Sequence, residues 1–264
     1  MGVGSQGEGG FKERFMSLII AMAGKGGTGK TTIAGLLIRF LLDKEMKPIL
    51  AVDADPNANL NEVLGLRVEN TLGEAREGIR DGVPPGMTRD IYMECKVEEC
   101  IVEREGYDLI VMGRPEGAGC YCHANTLLSR SMDRLCGNYR VVVMDNEAGM
   151  EHISRLVARR ADILLVVSDA TQRGIQAAQR IRDLARQLSL EVKKDYVIIN
   201  RVNGELAPAI KDAVKGAGLN LAGWVPEDAL ISRYDSEGQP TIQLPKTAPS
   251  VQAINGIFEK IIPR

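Results

Sequence analysis

From residue 17 onward the chain alternates short, unbroken apolar runs with stretches of helical spacing. The runs fall at 18–23, 49–52, 109–112, 141–144, 163–167, 196–199 and 219–225, and most are rich in Val and Ile. Continuous β-branched runs, as opposed to alternating ones, predict strands buried on both faces, as in a parallel sheet covered by helices. The segments 31–42, 172–188 and 205–215 carry the i, i+3, i+4 spacing of helices. Strands alternating with helices predict one doubly wound α/β domain with a mostly parallel sheet. The domain is expected to span 17–264. Residues 1–16, MGVGSQGEGGFKERFM, are glycine-rich, without periodicity, and are expected to be a disordered leader.

Two stretches break the alternation. Residues 67–105 hold adjacent prolines (Pro84, Pro85) and dense acids around Cys95 and Cys100, which predicts helices and a loop inserted on one face. The tail PSVQAINGIFEKIIPR spaces Val251, Ile254, Ile257, Phe258 and Ile261 along one helical face, with only Lys260 and Arg264 as cations. That pattern fits a helix packed on the core better than a basic membrane anchor.

Composition narrows the function classes. Of 264 residues, 44% are hydrophobic and 26% charged, an ordinary globular balance. Lys and Arg total 33 against 35 Asp and Glu, so no overall positive field holds the chain to nucleic acid or lipid. Aromatics at 4% are too few for base-stacking platforms. An Arg-rich stretch (Arg155, Arg159, Arg160, Arg173, Arg180, Arg182, Arg186) reads as a solvated helical face. With no apolar stretch of about 20 residues and no secretory leader pattern, the expected location is the cytoplasm, without membrane or nucleic acid partners. The five cysteines are an odd number for a disulfide framework, so thiols or metal ligands are expected. Cys136 falls in an apolar-spaced helix and Cys95 and Cys100 lie five apart; these three are expected to be buried or spectator thiols.

Gly24-Lys25-Gly26-Gly27-Thr28-Gly29-Lys30-Thr31 fits G-x-x-x-x-G-K-[ST] between the strand LIIAMA and a helix, the context a phosphate-binding loop requires. Its glycines let successive N–H groups curl around phosphate oxygens, and the helix N-terminus adds partial positive charge. Lys30 is expected to reach the β- and γ-phosphates of ATP, and the Thr31 hydroxyl to ligate Mg²⁺. Gly24 to Thr32 together are the expected nucleotide contacts. Lys25 is a second lysine that has no room on its own phosphates once Lys30 serves them.

Here the sequence resembles the deviant Walker A ATPases (KGGxGK[ST]), which include ParA, MinD and the nitrogenase iron protein. The resemblance implies a P-loop NTPase of the MinD/ParA type, in which Lys25 crosses to the nucleotide of a second copy in an ATP-dependent homodimer. Asp53-Ala54-Asp55-Pro56 matches the family's switch I; by resemblance Asp55 orients or deprotonates the attacking water and Asp53 supports the Mg²⁺ shell. The run VVVMDNEAG matches switch II, with Asp145 reaching Mg²⁺ through water and Gly149 letting the loop move. The same resemblance puts Asn200 and Arg201 on the adenine edge and draws further base contacts from the Pro226–Asp228 turn.

The stretch Gly113-Arg114-Pro115-Glu116-Gly117-Ala118-Gly119-Cys120-Tyr121-Cys122-His123 follows the strand YDLIVM. Two thiolates at i and i+2 can face one metal ion but supply only half of a tetrahedral site. A twofold dimer would bring four to one axis. This loop, followed by DNEAGMEH, is similar to that of CooC-type nickel-insertion ATPases. The resemblance implies Ni²⁺ or Zn²⁺ held by Cys120 and Cys122 at the dimer interface, with carbon monoxide dehydrogenase as client. His123 and His152 are expected to play ordinary hydrogen-bonding parts. Three alternatives stay open: a maturation ATPase for acetyl-CoA synthase, an iron–sulfur electron-transfer ATPase, and a MinD/ParA-type positioning ATPase.

Overall fold

A computed structural model describes residues 17–78, 82–113, 122–146 and 160–263. The strands are β1 (Leu18–Gly24), β2 (Ile49–Asp53), β3 (Val102–Arg104), β4 (Tyr107–Val111), β5 (Val141–Asp145), β6 (Arg160–Asp169), β7 (Glu191–Val202) and β8 (Leu221–Pro226). The α-helices are α1 (Lys30–Asp43), α2 (Leu60–Leu64), α3 (Leu72–Gly78), α4 (Arg89–Glu99) and α5 (Cys122–Cys136), then α6 (Gln172–Gln187), α7 (Pro208–Gly216), α8 (Ala229–Ser236) and α9 (Pro249–Ile261). The strands form one sheet of eight in the order β3-β4-β2-β5-β1-β6-β7-β8. All neighbours run parallel except β3 and β4. This is the doubly wound α/β fold that the apolar runs predict.

Strand periodicity sorts the core into two layers. Ile20, Met22, Ile49, Ala51, Val141 and Val143 face α1, α2 and α9. Their alternates on the left of the opposite face, including Ile19, Leu50, Val52, Val142 and Met144, pack beneath α3, α4 and α5. On the right of that face Ala21, Ala23, Leu164, Val166, Val197 and Ile199 meet α6 and α7. Because successive strand residues point to opposite faces, burial on both sides demands the unbroken apolar runs seen in the sequence. The last helix buries Val251, Ile254, Ile257, Phe258 and Ile261, with Phe258 5.6 Å from Phe40 ring to ring. Among the described residues no helix is long and apolar enough to cross a membrane.

Three expectations change. The run at 219–225 is not buried on both faces: β8 ends the sheet, and Leu221 and Trp224 stay more than a third exposed. The 67–105 stretch contributes helices, as expected, but it also turns at Gly106 and feeds an antiparallel hairpin, so that β3 caps the far edge of the sheet. Helix α7 starts later than its spacing predicts because Pro208, lacking an N–H, takes the first turn.

Candidate active site

Parallel strands all end on one side of the sheet, and the phosphate loop leaves β1 there, near the centre of the strand order. Gly24 lies against β6 so closely that a Cβ would stand 2.3 Å from the Val167 carbonyl oxygen, which leaves glycine as the fitting residue. The loop then folds on the Lys25 carbonyl. That oxygen accepts hydrogen bonds from the Thr28 hydroxyl at 2.9 Å and the Lys30 ammonium at 3.4 Å. Gly29, at φ +88°, is the N-cap of α1, so no cap side chain occupies the first helical amides. Amides left without a side-chain cap, a buried lysine and a helix N-terminus together make an anion site.

A cavity of about 820 Å³ opens over this loop. Of the expected nucleotide contacts, Gly26, Gly27, Gly29, Lys30, Thr31, Thr32 and Arg201 line it, and so does the expected catalytic Asp55. Lys25 has its side chain exposed on the loop. The opposite wall comes from residues the sequence reading passed over: Asn57, Asn59, Asn61 and Glu62 around the start of α2, and Asp235 and Gln239 at the end of α8. The first group had a signal, the amide-rich NANLNE directly behind the DADP motif. The second had none, being far along the chain from any motif.

Two acids meet behind the loop. Asp53 and Asp145 end the neighbouring strands β2 and β5 in direct register, and the Ala54 amide donates to the Asp145 carbonyl at 2.8 Å. Asp145 is buried and accepts a hydrogen bond from the Thr31 hydroxyl. Burial raises its carboxyl to about 7; the Asp53 charge adds to the rise, while the Thr31 hydroxyl and the Lys30 charge oppose it. Its Oδ1 is buried with no protein partner. A buried carboxylate oxygen with a vacant lone pair beside a threonine hydroxyl is the donor set that a hard cation takes with its waters. Thr31 and Asp145 thus fit Mg²⁺.

Asp53 shapes the loop that follows it. Its Oδ1 accepts the Asp55 amide at 3.1 Å and its Oδ2 the Leu60 amide at 2.9 Å. Burial raises its carboxyl to about 6 against the pull of those amides. Both oxygens hold the loop that carries Asp55. Asp55 lines the cavity and accepts the Asn57 amide at 2.8 Å, a turn that holds its carboxyl group in place. Asn146, next to Asp145, clamps β5 to β1 through the Met22 carbonyl at 2.8 Å.

At the base end, two of the expected contacts are hydrogen-bonded within the protein. The Asn200 amide nitrogen donates to the Thr28 carbonyl at 2.8 Å, within the phosphate loop. Arg201 sits at the cavity rim with φ +58°. Pro226 ends β8, outside the cavity lining. Asp228 caps α8 through the Leu230 amide at 3.0 Å, and its other oxygen accepts the Ser250 amide and hydroxyl at 3.1 and 2.6 Å. Its carboxylate is therefore committed to docking α9.

Cys120 lies outside the described residues, as do 147–159, which include Gly149 and His152. Cys122 opens α5, with His123 behind it. The cysteine loop leaves β4 past Met112, whose amide donates to the Asp53 carbonyl at 2.8 Å. Cys100 and Cys136 are buried, and burial pushes both thiols up to about 12, which makes them inert. Cys95 is exposed. Among the described residues no group of three or more His, Cys, Asp and Glu could hold a metal ion.

Comparison with known proteins agrees with this geometry. The family model described as CobQ/CobB/MinD/ParA nucleotide binding domain matches residues 19–242. The chain is 44% identical to an uncharacterized ATP-binding protein, MJ0685, of Methanocaldococcus jannaschii, over 93% of this chain and 98% of that one. It is 30% identical to the carbon monoxide dehydrogenase accessory protein CooC of Rhodospirillum rubrum, covering 83% of this chain and 87% of that one. Its fold is shared with the septum site-determining protein MinD complexed with Mg-ADP from Pyrococcus horikoshii, at a TM-score of 0.70, 21% identity and coverage of 94% and 96%. With its phosphate loop, its paired strand-end acids and a family match across most of its length, the chain belongs to the CobQ/CobB/MinD/ParA family of P-loop ATPases.

Proposed function

We propose that this ATPase is a metallochaperone of the CooC type, inserting nickel into a client metalloenzyme such as carbon monoxide dehydrogenase. The observation that carries the reading is where the cysteine loop starts. Residue 113 follows Met112, whose amide is bonded to Asp53, the residue that shapes the loop bearing Asp55. A change in that loop on gain or loss of the γ-phosphate has one strand-end hydrogen bond to cross before it reaches the start of the chain segment that leads to the cysteines. The CooC relative supports the same reading.

In this scheme ATP occupies the cavity, with its phosphates on the loop amides and Lys30. Thr31 and Asp145 would hold Mg²⁺, which would neutralise phosphate charge. Asp55 orients the attacking water. The exposed Lys25 reaches the nucleotide of a second copy, which closes a homodimer and brings Cys120 and Cys122 of each copy to the twofold axis. Four thiolates there suit Zn²⁺ in tetrahedral and Ni²⁺ in square geometry. Hydrolysis reopens the dimer and frees the ion.

The test is a Ni²⁺ and Zn²⁺ titration with sizing of wild type and Cys120→Ser/Cys122→Ser, with and without ATP and Mg²⁺. One ion per dimer, lost in the double variant while ATP hydrolysis persists, is the expected result. If metal affinity is the same with and without nucleotide, linkage forbids the switch.

A second reading, a MinD-type positioning ATPase, is favoured by the fold likeness to MinD structures. Against it, the apolar face of α9 is buried in the core. ATP-dependent binding to anionic vesicles or duplex DNA at physiological salt, with no metal bound, would select it.

A further inference from the structure

Asn200 lies near the C-terminal end of the inner strand β7, buried, and sends its amide nitrogen to the Thr28 carbonyl oxygen at 2.8 Å. A second, steric relation joins the same two segments: a Cβ on Gly29 would stand 2.4 Å from the Asn200 amide nitrogen. The amide is thus packed into the back of the phosphate loop as well as bonded to it. In a trans peptide the C=O and the following N–H point in opposite directions. Drawing the Thr28 carbonyl toward β7 turns the Gly29 amide away from β7, and Gly29 lines the nucleotide cavity. A carbonyl turned the other way would present its negative end to phosphate.

We infer that Asn200 is a positioning residue of the phosphate loop: it holds the Thr28–Gly29 peptide so that the Gly29 N–H faces the polyphosphate, whichever base is attached. This inference rests on the nucleotide site alone and is independent of the metal proposal. It assigns Asn200 a different task from the base contact implied by resemblance, and the two tasks separate on a ligand without a base. Thr28 is itself buried, so water cannot readily replace the lost donor.

The experiment measures equilibrium binding of three probes with Mg²⁺: ATP, inosine triphosphate, whose base lacks the 6-amino group, and inorganic tripolyphosphate. Asn200→Asp keeps the shape but replaces the donor with a charge that repels the carbonyl. It is expected to weaken all three probes by a common factor of about tenfold or more, the size of one unsatisfied buried carbonyl. The ratio of ATP to inosine triphosphate affinity stays as in wild type. Retained tripolyphosphate affinity with a collapsed ratio would make Asn200 a base reader and overturn the inference, as would unchanged binding of all three.

A cycle on Gly29 gives an independent check should Asn200→Asp not fold. The methyl of Gly29→Ala displaces the amide, so Gly29→Ala/Asn200→Ala should bind tripolyphosphate hardly worse than Gly29→Ala alone. Fully additive losses would show that the two residues do not act through one peptide.

Discussion

Replacing Asp145 by asparagine should stabilise the nucleotide-free protein in alkaline buffer, although it removes a residue of the active site. Asp145 is buried behind the phosphate loop with one oxygen lacking a partner, and its carboxyl is raised from 3.8 to about 7. Below about pH 4 the folded and unfolded chains both hold the proton, and the group contributes nothing. As pH rises toward 7, the unfolded chain gives the proton up while the folded chain retains it, so stability falls; above 7 it levels off. The side chain of the Asp145→Asn variant is neutral throughout. Its extra buried N–H costs about 1–3 kcal/mol, but that penalty does not vary with pH. The pH-dependent part accumulates over the two pH units from 5 to 7 at about 1.4 kcal/mol each, so the variant's advantage should shrink by roughly 3 kcal/mol between pH 8 and pH 5. At about 2–4 °C per kcal/mol for a chain of this size, the gap in melting temperature narrows by about 8 °C. The assay is thermal unfolding of both proteins in EDTA across that range. Asp53, raised to about 6, titrates in both and cancels to first order. With Mg²⁺ and ADP the order reverses, because the cation favours the ionised carboxylate that the variant lacks. A gap that stays constant with pH would refute the reasoning.

Three further outcomes follow from the geometry. Asp55→Asn should lower the turnover of ATP by about 100-fold or more while leaving nucleotide affinity within about threefold, read by phosphate release and direct binding. Gly35 lies so close to α2 that a Cβ would meet a Val63 methyl at 2.2 Å. Gly35→Ala should therefore destabilise the fold by about 1–3 kcal/mol in urea unfolding despite alanine's better helix propensity; stabilisation would mean that α2 yields freely. Phe258→Ala empties a fully buried site against Phe40 and should cost about 3–5 kcal/mol in the same assay, and a loss under about 1 kcal/mol would place α9 outside the cooperative core.

Much of this molecule is written in local pattern. Unbroken Val- and Ile-rich runs signal strands that must be covered on both faces, and the G-x-x-x-x-G-K-[ST] spacing places a phosphate loop between strand and helix. Asp53, Asp55 and Asp145 announce themselves as acids at strand ends. The apolar stripe from Val251 to Ile261 identifies a core helix because its period needs no knowledge of its partner. These signals span a few turns or one strand, and such short-range periodicity survives in the chain whatever lies beside it.

What the acids and amides do was decided by neighbours distant in sequence. The β2–β5 pairing sets Asp53 and Asp145 side by side, and the burial that follows raises both carboxyl groups. The fold of the switch loop turns Asp53 onto backbone amides, and α9 claims the Asp228 carboxylate through Ser250. Asn200 meets Thr28 across 172 positions of chain, and the end of α8 closes the cavity from farther still. Charge state and hydrogen-bond partner depend on which groups exclude water from one another, and that is fixed only when the crossovers set the strand order.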